Sequence, residues 1–457
     1  YFVFSVEMAE SDLHENDRSS KMQCKSRLRK PLQYYQPFIP NLPVKVRNSD
    51  LNHVREEDRS AHHWYRFVLS FPPHIVQDYL KKFGIASNQQ VLDPFCGTGT
   101  TVVECKKLGI PSVGVEANRM AWFAGSVKID WSLDPDQLLS HAEAIATSVQ
   151  AQYSREPDLR SLSSETSELL LKNSISPLPL HKTLVLLEEL DRQKSEFYNH
   201  ERLAIAKVLV YSVSNLRFAP EVSVGKSKVD APVLELWLDE IRAIAADLRQ
   251  LKTLPETPAH IHHADSRQLL TVLEPRSIDA VITSPPYPNE KDYTRTTRLE
   301  SVLLGFLQNK TELRSLKQGL MRSNSRCVYK SDDDDRFVAD HSEIQRIANE
   351  IESRRIELKK TSGFERKYAK ATKLYFGGMA KHLADLRHAL RPGAQLAYVV
   401  GDQASYLRVM IRTGELLADI AERLGYEVVN IDLFRTRLAT ATKEQLKEEV
   451  VVLKWNG

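Results

Sequence analysis

Residues 91–116 read VLDPFCGTGTTVVECKKLGIPSVGVE, and this stretch decides the fold. The short apolar run VLDPF is typical of a buried strand, and a turn with two glycines follows it. The next residues have the spacing of an amphipathic helix that Gly109 closes, and a second buried strand ends at Glu116. The stretch therefore predicts a βαβ unit, in which a helix joins two parallel strands.

Strand and helix patterns alternate on both sides of this unit. A helix is predicted from about His74, and strands are predicted over 260–265 and 278–287. Towards the end of the chain, the predicted strand 395–402 is followed by a helix and then by two strands with no helix between them. The pattern predicts an α/β fold with a Rossmann-like core. This core is a mostly parallel, doubly wound sheet of seven strands with an antiparallel hairpin at one edge, and helical regions are inserted into it.

Composition along the chain separates a core from three other regions. The core is predicted to consist of residues 36–130 and 258–457. Residues 131–257 have helical patterns and are too long for a simple connection, so they are interpreted as an inserted helical subdomain. Residues 288–370 form a basic insertion within the core, which is a candidate target-recognition region. Residues 1–35 have the polar composition of a flexible tail.

The whole-chain composition is that of an ordinary globular protein. Its 457 residues carry a net charge of only +3, so a nucleic-acid partner has to be argued from local clusters of charge. No apolar run is long enough to span a membrane, which predicts a cytoplasmic, nucleoid-associated protein with no membrane partner. The four cysteines form no C-x-x-C pair, so neither a disulfide framework nor a zinc site is expected. The composition does not indicate an oligomeric state.

The glycine turn lies between a strand and a helix, which is where a doubly wound sheet binds nucleotide-like ligands. Gly97 and Gly99 let the backbone approach a ligand closely, and the following helix presents free N–H groups. Glu116 ends the next strand, where its carboxylate can accept hydrogen bonds from both hydroxyls of a ribose. These residues alone fit a nicotinamide dinucleotide as well as another nucleoside cofactor.

A second motif, Ser284-Pro285-Pro286-Tyr287, ends a strand that is expected to lie beside the first one. The Ser284 hydroxyl and the Pro285 carbonyl can each accept a hydrogen bond from an amino group, and consecutive prolines restrict the backbone that carries this carbonyl. The Tyr287 ring offers a face on which a base can stack. A plain structural turn also fits this motif when it is taken alone.

The two motifs together resemble those of the DNA amino-methyltransferases. DPFCGTGT is similar to the first motif of that family, D-P-F-x-G-x-G-T, and S-P-P-Y is similar to its [Asp/Asn/Ser]-Pro-Pro-Tyr signature. The resemblance implies a methyltransferase core, S-adenosylmethionine as the cofactor and double-stranded DNA as the partner. The implied catalytic residues are Ser284, Pro285, Pro286 and Tyr287. The implied cofactor-binding residues are Asp93, Pro94, Phe95, Cys96, Gly97, Thr98, Gly99, Thr100, Glu116 and Asp265.

The first residue of the signature bears on the target base. In this family, Ser usually accompanies transfer to N4 of cytosine, whereas Asp or Asn usually accompanies adenine N6 and other targets. Ser284 therefore favours cytosine N4, in a base that is flipped out of the duplex. Many cytosine-N4 enzymes carry the two motifs in the opposite order, so an adenine-N6 or an RNA amino-methyltransferase stays open, as does a non-catalytic nucleic-acid-binding module. The family also implies restriction-modification or epigenetic marking, with a restriction endonuclease as a candidate partner.

Basic residues after the signature are candidates for contacts with phosphate groups. Arg295 and Arg298 follow it closely. The basic insertion carries a further set at short intervals, which is Arg314, Lys317, Arg322, Arg326 and Lys330. A solvated helical face is an equally good interpretation of these residues. Upstream, Tyr65, Ser70 and Phe71 lie in a segment similar to the one that holds the methionine end of the cofactor in the family.

Three other groups of residues are expected to have no chemical role. Cys96 lies inside the glycine turn, and the chain has no Pro-Cys dipeptide such as a cytosine-C5 enzyme carries, so Cys96 is not expected to be a nucleophile. His260, His262 and His263 have no carboxylate or cysteine at metal-ligand spacing, so no metal site is expected. The acidic run 332–335 is expected to stay solvated.

Overall fold

A computed structural model describes most of the chain from residue 53 onward. The described residues are 53–66, 70–153, 158–219, 221–289, 291–438 and 444–457. The predicted tail 1–35 and the start of the predicted core lie outside them. Within these ranges, no helix combines the length and the apolar character that crossing a membrane requires.

Nine strands lie in the described part of the chain, and seven of them form one sheet. They are, in chain order, β1 (Val91–Asp93), β2 (Ser112–Val115), β3 (Leu216–Ala219), β4 (Glu221–Val224), β5 (Ala259–His262), β6 (Ile278–Thr283), β7 (Leu390–Gly401), β8 (Glu427–Leu438) and β9 (Gln445–Lys454). The order across the sheet is β5-β2-β1-β6-β7-β9-β8. β9 runs antiparallel to both of its neighbours, and the other neighbouring pairs are parallel. The predicted Rossmann-like α/β fold, with an antiparallel hairpin at one edge, is confirmed.

Helices cover both faces of the sheet and fill the connections. They are α1 (Pro73–Phe83), α2 (Thr100–Lys107), α3 (Arg119–Lys128), α4 (Pro135–Tyr153), α5 (Ser164–Ser167), α6 (Pro177–Arg192), α7 (Tyr198–Val208), α8 (Val233–Leu251), α9 (Tyr293–Thr296), α10 (Arg298–Leu303), α11 (Lys310–Gly319), α12 (Ser342–Glu357), α13 (Tyr368–Ala389) and α14 (Thr413–Arg423). α2 directly follows the glycine turn, and α13 leads into β7.

The region predicted to be a helical insertion, 131–257, contains α4 to α8 but also the antiparallel hairpin formed by β3 and β4. The helical interpretation is therefore wrong for these two strands. Asn215 holds the start of the hairpin, because its backbone N–H donates to the Ser174 carbonyl at 2.7 Å. The helices of this region share one hydrophobic cluster with α3, in which Phe123 and Trp237 are buried. The region thus packs onto one face of the core.

The basic insertion is also tied closely to the core. Met321 belongs to the hydrophobic cluster around α13. Gly377 and Gly378 in α13 allow this approach, because a Cβ atom at these positions would overlap the Asp334 carbonyl and the Met321 sulfur, respectively. The backbone of the insertion therefore rests directly on the helix.

Two residues of the acidic run 332–335 do not stay solvated as expected, whereas Asp333 is exposed. Asp332 forms an ion pair with Arg322 at 2.9 Å, and Asp334 forms one with Arg267 at 2.6 Å. Both carboxylates are largely buried. A carboxylate can leave water when an arginine compensates its charge at hydrogen-bond distance, and this is the reason for the difference.

Candidate active site

The carboxyl ends of three neighbouring strands, β2, β1 and β6, meet at one edge of the sheet. β1 ends at Asp93, Glu116 directly follows β2, and Ser284 directly follows β6. In a doubly wound sheet, side chains at this edge converge on one ligand. The structure therefore brings the two sequence motifs together. Among the described residues, no three side chains are grouped as ligands for a metal ion.

The glycine turn has a backbone that glycine adopts most readily. Gly97 and Gly99 have φ angles of +53° and +85°, in the left-handed region. A Cβ atom on Gly99 would also lie 3.3 Å from the Cα atom of Gly125, so the turn and α3 are in close contact. α2 begins at Thr100, and the N–H groups of its first turn have no partners within the helix. This edge can therefore bind an anionic or polar ligand.

Two buried side chains support the turn from inside the protein. Cys96 packs against β2, where a Cβ atom at Gly114 would lie 2.5 Å from its sulfur, and burial raises the pKa of its thiol. The amine of Lys128 donates to the carbonyl of the buried Thr98 at 2.7 Å, and burial lowers the pKa of this amine to about 7. Gly114 and Lys128 were not identified from the sequence. The available signal was a lysine at the end of a mostly apolar helix, α3.

Glu116 is oriented by two backbone N–H groups. Its Oε2 accepts a hydrogen bond from Gly97 at 2.7 Å, and its Oε1 accepts one from Asn118 at 2.7 Å. Burial raises the pKa of Glu116 to about 7. Each oxygen of a carboxylate can accept two hydrogen bonds, so each keeps one acceptor position for a ligand.

Asp93 carries a buried polar atom without a partner. Its Oδ1 accepts from the Thr283 hydroxyl at 2.6 Å and from the Phe95 N–H at 3.2 Å, whereas no described residue donates to its Oδ2. Burial raises the pKa of this carboxyl group to about 6. Leaving a buried acceptor unsatisfied is costly. The ammonium group of an amino-acid-like ligand is a chemically suitable partner for Oδ2.

Phe95 packs against a histidine that was not identified from the sequence. The two ring centroids are 4.8 Å apart, and Pro94 beside Phe95 is buried. His382 is buried, which lowers its pKa to about 4. A carbonyl only accepts hydrogen bonds, so Nδ1 donates to the Ser266 carbonyl at 2.8 Å and Nε2 accepts from the Tyr398 hydroxyl at 2.7 Å. These contacts fix the ring against Phe95.

Asp265 follows β5, as predicted, but its carboxylate is largely occupied. Arg267 donates to Oδ2 from Nη2 at 2.6 Å and to both oxygens from Nε at 3.0 and 3.1 Å. Arg267 in turn bonds to Asp334 at 2.6 Å, which links this end of β5 to the basic insertion. A contact between Asp265 and the cofactor stays a prediction, in which the ligand would share these oxygens with Arg267.

The hydroxyl of Ser284 directs its proton into the sheet. It donates to the Val399 carbonyl of β7 at 3.1 Å. The Ser284 side chain also forms a hydrogen bond with Tyr287. Because a hydroxyl has one proton and two lone pairs, at least one lone pair of Ser284 stays available as an acceptor. No described residue donates a hydrogen bond to the neighbouring Pro285 carbonyl. The first two residues of the signature thus offer two hydrogen-bond acceptors close together.

Tyr287 stands against a glycine at the end of β7. A Cβ atom at Gly401 would lie 3.1 Å from Cε2 of the Tyr287 ring, so the ring depends on a glycine at this position. The Tyr287 side chain is half-buried, as is Pro286 before it. The sequence did not single out Gly401, although a glycine at the end of a buried strand is a sign of close approach.

A brace connects the signature to the basic insertion. The N–H of Asn289 donates to the Ser323 carbonyl at 2.9 Å, and it also lies 2.9 Å from the Tyr287 carbonyl. The buried Tyr406 hydroxyl donates to the same Ser323 carbonyl at 2.9 Å and lies 3.2 Å from the Asn289 carbonyl. The position of the signature therefore depends on contacts far away in the sequence.

Removal of the Tyr406 hydroxyl is expected to slow catalysis. We expect Tyr406→Phe to lower kcat about tenfold, because a small displacement of reacting groups costs at least that much, and to leave the Kd for the cofactor unchanged. The control is Tyr426→Phe, which removes a buried hydroxyl that donates to the Leu383 carbonyl at 2.8 Å. Steady-state kinetics and cofactor titration on both variants make the comparison. Equal losses of kcat would contradict the positioning role.

Tyr65, which lies in the segment similar to the one that holds the cofactor in the family, is paired inside the protein. Its hydroxyl donates to Oε1 of Glu300 in α10 at 2.5 Å, and both side chains are buried. No described residue donates to Oε2 of Glu300. Burial raises the pKa of this carboxyl group to about 7. The pair joins the segment before α1 to the segment that follows the signature.

The Glu300 pair gives a pH-dependent prediction. Because the pKa in the folded state lies above the ordinary value for Glu, the stability that this group provides is present at low pH and is lost as the pH rises to about 7. Glu300→Gln lacks this titration. We therefore expect the variant to gain stability relative to the wild type between pH 5 and pH 7, by at most about 1.4 kcal/mol per pH unit. Urea unfolding at both pH values measures the difference, with the exposed Glu143→Gln as the control. A difference that is the same at both pH values would contradict the prediction.

Several basic residues predicted to contact phosphate are used inside the protein. Arg322 is buried against Asp332, and Lys317 pairs with the buried Asp292 at 2.8 Å. The guanidinium of Arg298 donates to its own helix region and to a backbone carbonyl of another segment. The interpretation as phosphate contacts is wrong for these three, because their donors satisfy buried acceptors. It stays a prediction for Arg295, Arg314, Arg326 and Lys330.

A mostly parallel sheet of this order, with an antiparallel hairpin at its edge, is the fold of the S-adenosylmethionine-dependent methyltransferases. A family model described as DNA methylase matches residues 4–121. The type II methyltransferase M.BsoBI of Geobacillus stearothermophilus is 26% identical over 444 residues, which are 88% of this chain and 86% of that protein. The type II methyltransferase M.AvaI of Nostoc sp. is 22% identical over 427 residues, 85% of this chain and 83% of that protein. The chain is therefore similar over most of its length to DNA amino-methyltransferases, a similarity that supports methylation of DNA, and its methyl donor is S-adenosylmethionine.

Solved structures are similar to this chain only in outline. TrmN from Thermus thermophilus is 10% identical, with a TM-score of 0.26, and the match covers 84% of this chain and 48% of TrmN. A protein studied in the conversion of a disulfide bond into a thioacetal group during echinomycin biosynthesis is 12% identical, with a TM-score of 0.27 and coverage of 83% and 81%. Scores this low carry no argument about the site.

Proposed function

We propose that the enzyme transfers the methyl group to N4 of a cytosine in double-stranded DNA. The observation that carries this proposal is the pair of acceptors at the signature. The Ser284 hydroxyl donates its proton to the Val399 carbonyl and keeps at least one lone pair beside its hydrogen bond with Tyr287, and the Pro285 carbonyl has no described donor. The site thus offers two acceptors to a group that has two hydrogens to donate, and an exocyclic amino group is such a group.

The two acceptors can make the amino nitrogen of the base more nucleophilic. An exocyclic amino group of a base is a poor nucleophile, because its lone pair is delocalised into the ring. Binding one hydrogen to Ser284 and the other to Pro285 favours the tetrahedral nitrogen, whose lone pair is free to attack. The cofactor, when bound, supplies an electrophilic methyl group on a sulfonium centre. The protein's own contribution is to hold the amino group and to exclude water from it.

The nature of the acceptor supports cytosine as the target. A hydroxyl at the first position of the signature is the form that accompanies N4 of cytosine in the family, and Ser284 supplies it. The amino group is inaccessible inside a duplex, so the base has to be flipped out. The half-buried Tyr287 ring, held by its contact with Gly401, is a suitable surface for the flipped base to stack on.

The residues that hold the cofactor are part of the proposal. Oδ2 of Asp93 fits the ammonium group of the methionine moiety, and the remaining acceptor positions of Glu116 fit the ribose hydroxyls. Gly97 and Gly99 allow the ligand to approach the backbone. Asp265 is proposed to bind the adenine amino group. The turn around the ligand is completed by Pro94, Phe95, Cys96, Thr98 and Thr100.

We also infer where sequence recognition lies and what the enzyme serves. The insertion 288–370 is joined to the signature through the brace at Ser323, which supports its role as the target-recognition region. The predicted core is 36–130 together with 258–457, and 131–257 is a helical region added to it. The similarity to proteins named type II methyltransferases supports a role in restriction-modification, with a cognate endonuclease as the partner.

The experiment is methyl transfer from tritiated S-adenosylmethionine to unmethylated genomic DNA, and to RNA in parallel. The polymers are digested to nucleosides, and the labelled nucleoside is identified. We expect label in N4-methylcytosine from DNA. Label in N6-methyladenine would make adenine the target base, which is the alternative that the order of the two motifs leaves open. Label in RNA alone would overturn the assignment of the substrate.

A further inference from the structure

The connection between α12 and α13 concentrates positive charge. Residues 354–373 contain eight Lys and Arg residues and two Glu residues, whereas the whole chain has a net charge of +3. Lys359 and Arg366 are exposed, and Lys370 is half-exposed. No described carboxylate forms an ion pair with any of these three. Two of the basic residues predicted to contact phosphate within 314–330, Lys317 and Arg322, are instead paired inside the protein.

This charge lies at the edge of the sheet that carries the signature. Tyr368 is the first residue of α13, and its ring stacks on the Tyr406 ring with 4.8 Å between the centroids. Tyr406 belongs to the brace, since its hydroxyl donates to the Ser323 carbonyl at 2.9 Å. The chain of contacts from Tyr368 to the signature is therefore short. α13 then runs away from this edge, so its last residues lie at the opposite one.

An exposed aromatic ring stands among the cations. Phe364 is 50% exposed, and the guanidinium of Arg326 lies 5.4 Å from its ring centroid. The amine of Lys367 donates to the Val328 carbonyl at 3.2 Å, which ties this connection to the preceding part of the insertion. This hydrogen bond therefore fixes the connection against an earlier segment of the same insertion. Unpaired cations beside an exposed ring fit a polyanion that carries flat bases, and they fit an apolar protein partner poorly.

We propose that this basic surface, formed by Lys359, Arg366 and Lys370, binds phosphate groups of the DNA duplex beside the flipped base. The inference rests on the proposed function, because it assigns the contact that holds the duplex while the base enters the site. Each phosphate that is neutralised releases condensed counterions, so the surface makes binding depend on salt. Such contacts fix the position of the duplex and carry no sequence information.

The test compares two double variants of the full chain. Arg366→Gln with Lys370→Gln removes two positive charges from the surface. Lys81→Gln with Arg387→Gln removes the same charge at the ends of α1 and α13, at the opposite edge of the sheet. The Kd for a fluorescent DNA duplex is measured by anisotropy over a series of salt concentrations. Cofactor binding and thermal unfolding are measured on each protein to confirm that it is folded.

We expect the surface variant to bind the duplex at least about tenfold more weakly at low salt, and the slope of log Kd against log salt to fall by about 2, one for each lost contact. The control should match the wild type. If both variants had the same affinity and the same salt slope, the proposed role of the surface would be wrong, whereas the proposed methyltransferase function would stand. A wild type that binds RNA and no DNA would instead overturn the proposed function, so the two failures are distinguishable.

Discussion

Ser284→Ala is expected to lower kcat by about 10²- to 10³-fold, the range observed when one preorganised hydrogen-bonding group at a reacting centre is removed. The hydroxyl is an acceptor for one amino hydrogen, and alanine leaves this hydrogen without a partner as the nitrogen becomes tetrahedral. Binding of S-adenosylmethionine should not change, because its proposed ligands lie in the glycine turn and at the carboxyl ends of β1, β2 and β5. The measurement is single-turnover methyl transfer together with cofactor titration.

Ser277→Ala is the matched control for this prediction. Ser277 lies just before the other end of β6, and its hydroxyl donates to the Glu274 carbonyl at 2.7 Å, as the Ser284 hydroxyl donates to Val399. The control therefore removes a similar hydrogen bond at the opposite end of β6, far from the signature. If both variants kept the wild-type rate, or if Ser284→Ala also lost the cofactor, the proposed role of the hydroxyl would be wrong.

Gly377→Ala is expected to destabilise the protein by about 3–5 kcal/mol, at the upper end of overpacking effects. An added Cβ atom would overlap the Asp334 carbonyl oxygen, which is backbone and has little freedom to move. The loop would have to leave α13, and the ion pair between Asp334 and Arg267 would be strained with it. Urea unfolding monitored by circular dichroism gives the change in the free energy of unfolding.

Gly319→Ala separates this steric effect from the ordinary effect of alanine in a helix. Gly319 ends α11, and a Cβ atom there would meet no other atom within 4 Å. Alanine stabilises a helix relative to glycine by up to about 1 kcal/mol, so this variant should be neutral or more stable. A Gly377→Ala protein as stable as the wild type would show that the loop does not rest on the helix.

The two motifs could be predicted from the sequence because each lies within one strand and the turn that follows it. The apolar run before Gly97 and the one before Ser284 both indicate buried strands, and parallel strands place their carboxyl ends at one edge. The direction of the Ser284 proton could not be predicted. It depends on the Val399 carbonyl, 115 residues further along the chain, and thus on the pairing of β6 with β7.

The sequence did not reveal which basic residues pair inside the protein and which stay free to contact DNA, and the reason is physical. A basic side chain is available to solvent or DNA only when its donors do not bond to a buried acceptor of the protein. Such an acceptor can lie far from the basic residue in the sequence. Arg322 forms an ion pair with Asp332, and Lys317 forms one with Asp292, whereas Arg366 has no such partner among the described residues. The hairpin of β3 and β4 was missed for a related reason, since its two short strands lie between long helical patterns that dominate the region.

The most direct test of the central claim is to sequence, by a single-molecule method that reads modified bases, the genomic DNA of a methylation-deficient host that expresses the enzyme. The account predicts N4-methylcytosine at one fixed position in every copy of a short sequence, and none in a host that expresses Ser284→Ala. N6-methyladenine at the modified position, or a genome with no modified base despite an active, cofactor-binding protein, would contradict it.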